Sequence, residues 1–514
     1  MDCSSNIFIT LLLLTLSTFF LLLHRRHKSS SRNSLPPGPP GWPIFGNLFD
    51  LGSMPHRNLA NMRQKYGPVV WLRLGAMNSL VILSAKTAGE FFKNHDRSFA
   101  DRMVTETMRA HDYDQGSLAL APYGSYWRVL RRLVTVDMLV NKRINETVPV
   151  RRTCVDQMLE WIEKESRDKF GKPVAIHVGK FVFFTAFNLL GNLMLSRDVI
   201  DPESREGSEL FTAILRLMEW TGNTNMADFF PIFKSLDPQR LKRNMERDLG
   251  KALDIANKYV KERMEERASR NELVRRKDFL DVLLDFQGNG RDEPEKLSER
   301  DVNVFILEIF IAGSETTSGT VEWAVTELLL NPESLTTAKA ELAQVIGANR
   351  RVQESDIENL PYLQAVIKET LRLHPPIPFL IPRRAVQDTD FMGYFIPKNT
   401  QVLVNAWAIG RDPDAWEEPF IFKPERFIGS DVDFKGQHYE LMPFGAGRRM
   451  CAGVPLASRA LHLVVGSLLH EFDWELEAGF DRATMDMNEK IGVTSRKSEP
   501  LLAVPKKCRV LEIK

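Results

Sequence analysis

The sequence predicts a mainly α-helical chain with small β-sheets, an α+β arrangement built as a single large domain behind an N-terminal transmembrane helix. Three observations carry this. An uncharged apolar run fills residues 3–23, helix-period patterns dominate the rest, and only a few short β-like runs interrupt them. After Pro43 neither a second low-complexity linker nor an internal repeat occurs. The 514 residues therefore divide into an anchor at 3–23, a basic, proline-rich hinge at 24–43 and a folded body at 44–514.

Composition removes several classes of function. Lys and Arg total 68 against 67 Asp and Glu, so a net charge of +1 gives no general pull toward nucleic acid. Hydrophobic residues at 43% and charged residues at 26% are the balance of a folded chain. Four cysteines (Cys3, Cys154, Cys451, Cys508) cannot form a disulfide framework, and their scatter suits a reducing compartment. Neither a C-x-x-C pair nor an H-E-x-x-H helix occurs, which argues against tetrahedral zinc.

Cys3 to Leu23 is 21 residues without a formal charge, about the length of a membrane-crossing helix. His24, Arg25, Arg26, His27 and Lys28 follow at once, and only Asp2 precedes. The positive-inside tendency then keeps everything after Leu23 cytosolic. A cleaved signal peptide carries its charge before the apolar run and small residues after it, the reverse of this arrangement. The expectation is a single-pass anchor in the endoplasmic reticulum membrane with a cytosolic body. The sequon Asn145-Glu146-Thr147 would then stay unglycosylated. Five prolines between Pro36 and Pro43 exclude helix and predict a stiff, extended spacer.

In the body, Val69 to Leu74, Leu80 to Leu83 and Gln401 to Asn405 read as strands. The clearest helix starts at Ser298, with Asp301 three residues on as a capping box. Val302, Phe305, Ile306, Ile309 and Phe310 then recur at spacings of three and four. It ends near Asn331-Pro332, after about 32 residues or roughly 48 Å, enough to traverse the domain. A second helix runs from Pro361 to Leu373, stopped by His374-Pro375-Pro376, and a third covers Val454 to Phe472.

Chemistry concentrates in Pro443 to Gly453, PFGAGRRMCAG. One cysteine sits among glycines that allow a tight loop with amides aimed at sulfur, directly before a helix whose N-terminus favours a thiolate. The arginines offer charge to an anionic ligand. A dinucleotide-binding reading fails, because the third glycine is out of place and no βαβ unit surrounds it. The pattern F-x-x-G-x-R-x-C-x-G, at Phe444, Gly447, Arg449, Cys451 and Gly453, resembles the haem-thiolate signature of the cytochrome P-450 monooxygenases. That resemblance implies haem b with iron held axially by the Cys451 thiolate, Arg449 on a propionate and Phe444 beside the sulfur.

Further matches agree with it. Glu369 and Arg372 form E-x-x-R, whose two ends share one helical face. Glu272 to Arg275 also fits that short pattern and reads as a solvated surface pair. The family joins its E-x-x-R to a P-E-R-F segment, here Pro424 to Phe427, which implies a buried structural triad of Glu369, Arg372 and Arg426. The long helix carries Ala312-Gly313-Ser314-Glu315-Thr316-Thr317, poor helix chemistry at its centre. One reading has Thr316 bonding back to the carbonyl of Ala312 and merely bending the rod. The resemblance implies instead an oxygen-activation groove beside Gly313, with Thr316 serving dioxygen and Glu315, where many relatives have Asp, relaying protons. Trp127 and Arg131, one turn apart, are implied to reach one haem propionate, and Arg383 or its neighbour Arg384 the other.

The match spans roughly residues 35 to 505, and its later segments resemble plant microsomal members, among them the geraniol hydroxylase and iridoid oxidase relatives. It implies dioxygen as oxidant and electrons from NADPH through a separate NADPH–cytochrome P-450 reductase, since the chain has no room for flavin domains. Arg128, Arg132, Lys142 and Arg448 are the basic surface expected to receive that partner. By family position the substrate pocket draws on residues 105–117, 214–223 and on Ile309, Ala312, Ile377, Phe379, Ile381 and Val493, all six apolar. A small hydrophobic substrate follows, monoterpenoid alcohols or aldehydes first and flavonoids or other phenolics second. Asp228 to Pro231 is the segment expected to dip into the bilayer. Two rival readings, a haem-thiolate isomerase or dehydratase and a non-catalytic haem protein, have no use for an intact Glu315-Thr316 pair.

Overall fold

The computed structural model describes residues 34–201, 205–269, 278–477 and 481–508, with Ser17 before them. The expected anchor at 3–23, the basic cluster at 24–28 and the Glu272–Arg275 pair lie outside the described residues. From Ser34 to Pro40 the proline-rich segment has no helix or strand, but it is not a free spacer. Pro37 accepts a hydrogen bond from the Trp71 amide at 2.8 Å. A Cβ on Gly38 would stand 1.9 Å from the Trp71 carbonyl oxygen, so only glycine lets the segment lie on that strand.

Helix α1 (Pro55–Tyr66) leads into the hairpin β1 (Val69–Leu74) and β2 (Met77–Ile82). Helix α2 (Ala85–Asn94), capped by Ser84, is followed by the two-residue strand β3 (Asp101–Arg102) and by α3 (Ser125–Arg132). Next come α4 (Val148–Glu165), β4 (Ile176–His177), α5 (Val178–Leu195), α6 (Arg205–Gly222) and α7 (Leu241–Ser269). The long helix α8 (Glu299–Leu330) is capped by Ser298, whose hydroxyl accepts the Asp301 amide at 3.1 Å. Helices α9 (Pro332–Val345) and α10 (Pro361–Leu373) follow, both with proline in the first turn. Short strands β5 (Arg383–Arg384), β6 (Thr389–Phe391), β7 (Tyr394–Ile396) and β8 (Gln401–Val404) precede α11 (Val454–Glu471). The chain closes with β9 (Phe472–Leu476), the hairpin β10 (Glu489–Ile491) and β11 (Ser495–Lys497), and β12 (Leu502–Lys507).

The main sheet has the order β1-β2-β8-β5-β3, antiparallel except for the parallel pair β2 and β8. A second sheet, β4-β12-β9, ties the C-terminal segment to the start of α5. Helix α8 packs most extensively against α5 and also against α7, α10 and α11. Helices α5 and α8 are apolar enough to cross a bilayer, yet 78% and 72% of their most apolar windows are buried, so both are core helices here.

Helix α8 is helical throughout, and Gly313 lines the internal cavity beside it. A Cβ there would come within 2.8 Å of Leu190, so the glycine allows α5 to close on α8. The Ala312 and Gly313 carbonyls accept the hydroxyls of Thr316 and Thr317, both at 2.7 Å, which satisfies these polar residues within the helix.

The core is pinned by charge where α10 meets the 410–427 segment. Glu369 and Arg372 pair in two bonds of 2.6 and 2.7 Å, and Arg426 reaches the same carboxylate at 3.1 Å. Arg372 also donates to the carbonyls of Gly410, Pro419 and Ile421. Removing it leaves the buried Glu369 carboxylate with Arg426 as its remaining cation and strips a donor from the buried Gly410 carbonyl, which costs about 3 kcal/mol. Arg372→Met should therefore lower the thermal unfolding midpoint markedly, and an unchanged midpoint would show that the pair carries no weight in the fold.

Candidate active site

One cavity of about 310 Å³ lies between α8 and the 443–453 loop. Cys451 faces it and is exposed only in that sense. Gly445 and Gly447, at φ of 70° and 68°, turn the loop so that the Cys451 amide donates to Phe444 at 3.0 Å. The Gly453 amide donates to the sulfur at 3.3 Å, one residue before α11 begins. Burial pushes the thiol pKa up, while the Gly453 amide, the Arg131 charge and the Val454 amide draw it down. Phe444 also lines the cavity and packs against Phe434 at 5.3 Å between ring centres.

Five arginines line the same cavity; Arg151 pairs with Glu354, and four others remain. Arg131, on α3, donates to Met450 at 2.6 Å, and Arg449 donates to Ala100 at 3.0 Å and Ala121 at 2.6 Å. Trp127 donates its indole N–H to Leu118 at 3.0 Å, and its ring lies 4.4 Å from the Arg449 guanidinium. Arg383 lines the cavity and pairs with Asp96 at 2.6 Å, whereas Arg384 turns away to Asp101. The fourth, Arg102, was not singled out in the sequence. It donates to Ala119 at 2.9 Å and Ile381 at 2.6 Å. No local spacing marks it, because it arrives through the two-residue pairing of β3 with β5. Burial, Arg383 and Arg449 hold Arg102 well below the usual guanidinium range, while burial and Arg383 bring Arg449 down to about 10. Positive charge is thus in excess here. A ligand with two carboxylates at this end and a metal for the sulfur fits the donor set.

Much of the remaining lining is apolar. Ile309, Ala312, Ile377, Phe379 and Ile381 all line the cavity. Val493 does not; it sits half-buried on the β10–β11 turn, where Gly222 at the end of α6 packs closely. Residues 105–117 and 214–223 are likewise absent from the wall. Leu118 and Ala119 stand there instead, while Ile214 and Leu217 are buried among the helices. Thr316 lines the cavity, but its neighbour Glu315 does not, since adjacent helical residues project about 100° apart. The Glu315 carboxyl accepts the Thr494 hydroxyl at 2.9 Å, and burial raises its pKa to about 7. Glu308, unremarked in the sequence, lines the cavity one turn before Ala312. It accepts from the Ser117 hydroxyl at 2.5 Å and from the amides of Leu118 and Ala119 at 2.6 and 3.0 Å.

On the surface, Arg132 is paired with Glu293 and Arg448 with Asp96, and Arg128 and Lys142 are exposed. Asp228 is drawn inward, its carboxylate accepting the Glu106 amide at 2.7 Å, so the exposed apolar residues of that region lie further on, at Ile232 and Leu236.

A helical body around one cysteine, with a ring of arginines at the same cavity, is the arrangement of a haem-thiolate oxygenase. Sequence comparison agrees: the profile of the cytochrome P-450 family matches residues 36–502. The chain belongs to the cytochrome P-450 family and is a monooxygenase of that family, which implies haem held by a cysteine thiolate. It is 55% identical over 495 residues to cytochrome P-450 76A2 of Solanum melongena, covering 96% of this chain and 97% of that one. Iridoid oxidase of Catharanthus roseus is 50% identical, with 95% of each chain covered. Geraniol 8-hydroxylase of the same plant is 41% identical, over 98% of this chain and 99% of its own. Among solved structures, a zebra fish cytochrome P-450 with abiraterone superposes with a TM-score of 0.73 at 27% identity, over 89% of this chain and 99% of that one.

Arg102 yields a direct prediction. Arg102→Leu should lower the haem retained per chain about as much as Arg449→Leu does, measured as pyridine haemochrome per mole of protein. Full retention would remove Arg102 from the anion-holding set.

Proposed function

We propose that this chain is a membrane-anchored monooxygenase that hydroxylates a small hydrophobic plant metabolite, a monoterpenoid or iridoid precursor, with electrons from NADPH through a separate reductase. The carrying observation is that Ile309, Ala312, Ile377, Phe379 and Ile381 line the same cavity as Cys451. Such a lining holds a small apolar substrate and excludes water from the reacting carbon. Two relatives named for geraniol and iridoid chemistry support the substrate class.

Cys451 would hold the haem iron, with Trp127, Arg131, Arg383, Arg449 and Arg102 taking the propionates and Phe444 packing beside the sulfur. When bound, the haem supplies oxygen activation and transfer of one oxygen atom to a C–H bond. The protein's own part is positional. Thr316 would present a hydroxyl toward the reacting oxygen, and Glu315 would hold a proton close to neutral pH. Glu308 keeps Leu118 and Ala119 against α8, which fixes the width of the pocket on that side.

Trp42, Ile44, Phe49, Ile232 and Leu236 are exposed apolar residues, and the Phe45 and Phe230 rings meet at 5.8 Å between them. A patch of this kind beside the hinge suits a body resting on the cytosolic face of the endoplasmic reticulum membrane, tethered by residues 3–23. Exposed Arg128 and Lys142 supply the charge to receive an acidic reductase.

The test uses the full chain in membranes with plant reductase and NADPH. Geraniol, nerol and iridoid alcohols should shift the Soret band and yield hydroxylated products that require both NADPH and oxygen. Turnover of flavonoids alone would overturn the substrate class, and conversion without NADPH would overturn the monooxygenase mechanism.

A further inference from the structure

Glu315 lies beside a cavity-lining threonine and yet is turned onto the C-terminal hairpin. Its Oε1 accepts the Thr494 hydroxyl at 2.9 Å, while its buried Oε2 has no hydrogen-bond partner. Thr494 is buried on the turn joining β10 to β11. That turn is closed by a bond of 2.8 Å from the Gly492 amide to the Thr494 carbonyl. The hairpin is held firmly at its other points. Glu489 accepts from His56 at 3.0 Å and Arg57 at 2.7 Å, and the Ser495 amide donates to Pro376 at 2.7 Å.

Its tip also meets a neighbour at close range. A Cβ on Gly222, at the end of α6, would stand 2.1 Å from the Gly492 Cα. Two glycines thus let α6 and the hairpin pack backbone against backbone. A displacement of the end of α6 is transmitted to the turn that carries Thr494, because nothing compressible lies between them.

We propose that Thr494 is the positioning residue for Glu315, and that the β10–β11 hairpin is the element through which α6 controls where that carboxyl sits. The proposal rests on the proton-holding role given to Glu315 above. The physical consequence is a carboxyl whose protonation is set from outside the cavity. Burial favours its neutral form, whereas the Thr494 hydroxyl and the Arg496 charge from β11 favour the carboxylate. Losing the Thr494 bond therefore moves the titration upward, and restoring a hydroxyl returns it.

Infrared difference titration of the ferric holoenzyme between pH 5 and 9 tests this directly. The protonated carboxyl band that Glu315→Gln removes is assigned to Glu315. In the native protein that band should fade with a midpoint near 7. Thr494→Val should raise the midpoint by about tenfold in proton affinity, and Thr494→Ser should leave it in place. Gly222→Ala, which forces the hairpin away, should act as Thr494→Val does. An identical midpoint in Thr494→Val, or no band sensitive to Glu315→Gln, overturns the proposal. NADPH consumed per product, measured in the same variants, separates the two ideas. If Thr494→Val moves the midpoint while Glu315→Gln leaves coupling intact, the positioning stands and the proton-holding role falls.

Discussion

Three buried guanidinium groups and the half-buried Arg131 share one cavity, and what faces them is mostly backbone carbonyl. Arg102, Arg131, Arg383 and Arg449 tie together the 96–102, 118–121, 381–383 and 446–450 segments through those carbonyls. Asp96 is the carboxylate in this set, bound by Arg383 and Arg448 and by the Arg448 amide. A Cβ on Gly447 would lie 2.4 Å from its Oδ1, so the cysteine loop can close on Asp96 only with glycine there. The segments that form the cavity are thus held by the charges that a dianionic ligand would neutralise. Assembly of the loop and affinity for the ligand draw on the same residues.

The other side of the cavity depends on α8 remaining unbroken while carrying polar residues at its centre. Ser314, Thr316, Thr317 and Thr320 each donate to the carbonyl four residues earlier, so none demands a partner from the apolar wall. Four acids of the helix find partners on other segments, Glu315 through one of its two oxygens. Glu308 takes the 117–119 segment, Glu315 takes Thr494, Glu322 takes the Leu501 amide at 2.8 Å and Glu327 takes His374 at 2.7 Å. One helix therefore fastens several peripheral segments, while Ile309, Ala312 and Thr316 are presented to the cavity.

What was legible in the sequence is what depends on near neighbours. The bounds of α8, α10 and α11 follow from caps, prolines and apolar spacing, and the cysteine loop and E-x-x-R pair are local patterns. Arg102, Glu308 and Thr494 were not legible, because each acts on residues far away in the chain. Their partners lie 17 to 279, 189 to 191 and 179 positions distant, respectively. The pocket misassignments share that cause. The wall begins at Leu118, just past the segment expected from family position, and on the hairpin Thr494 rather than Val493 turns toward α8. The proline-rich spacer shows the same limit, since its composition indicates an extended segment but not that β1 receives it.

We propose that Cys451 ligates the haem iron and that the arginine-lined cavity holds that group. The carbon monoxide difference spectrum of reduced membranes tests it most directly, with native chain and Cys451→Ser prepared in parallel. A red-shifted thiolate Soret band in the native protein, absent in the variant, is the predicted result. Haem bound by the native chain without that band would contradict the ligand assignment and remove the mechanism, even with the fold intact.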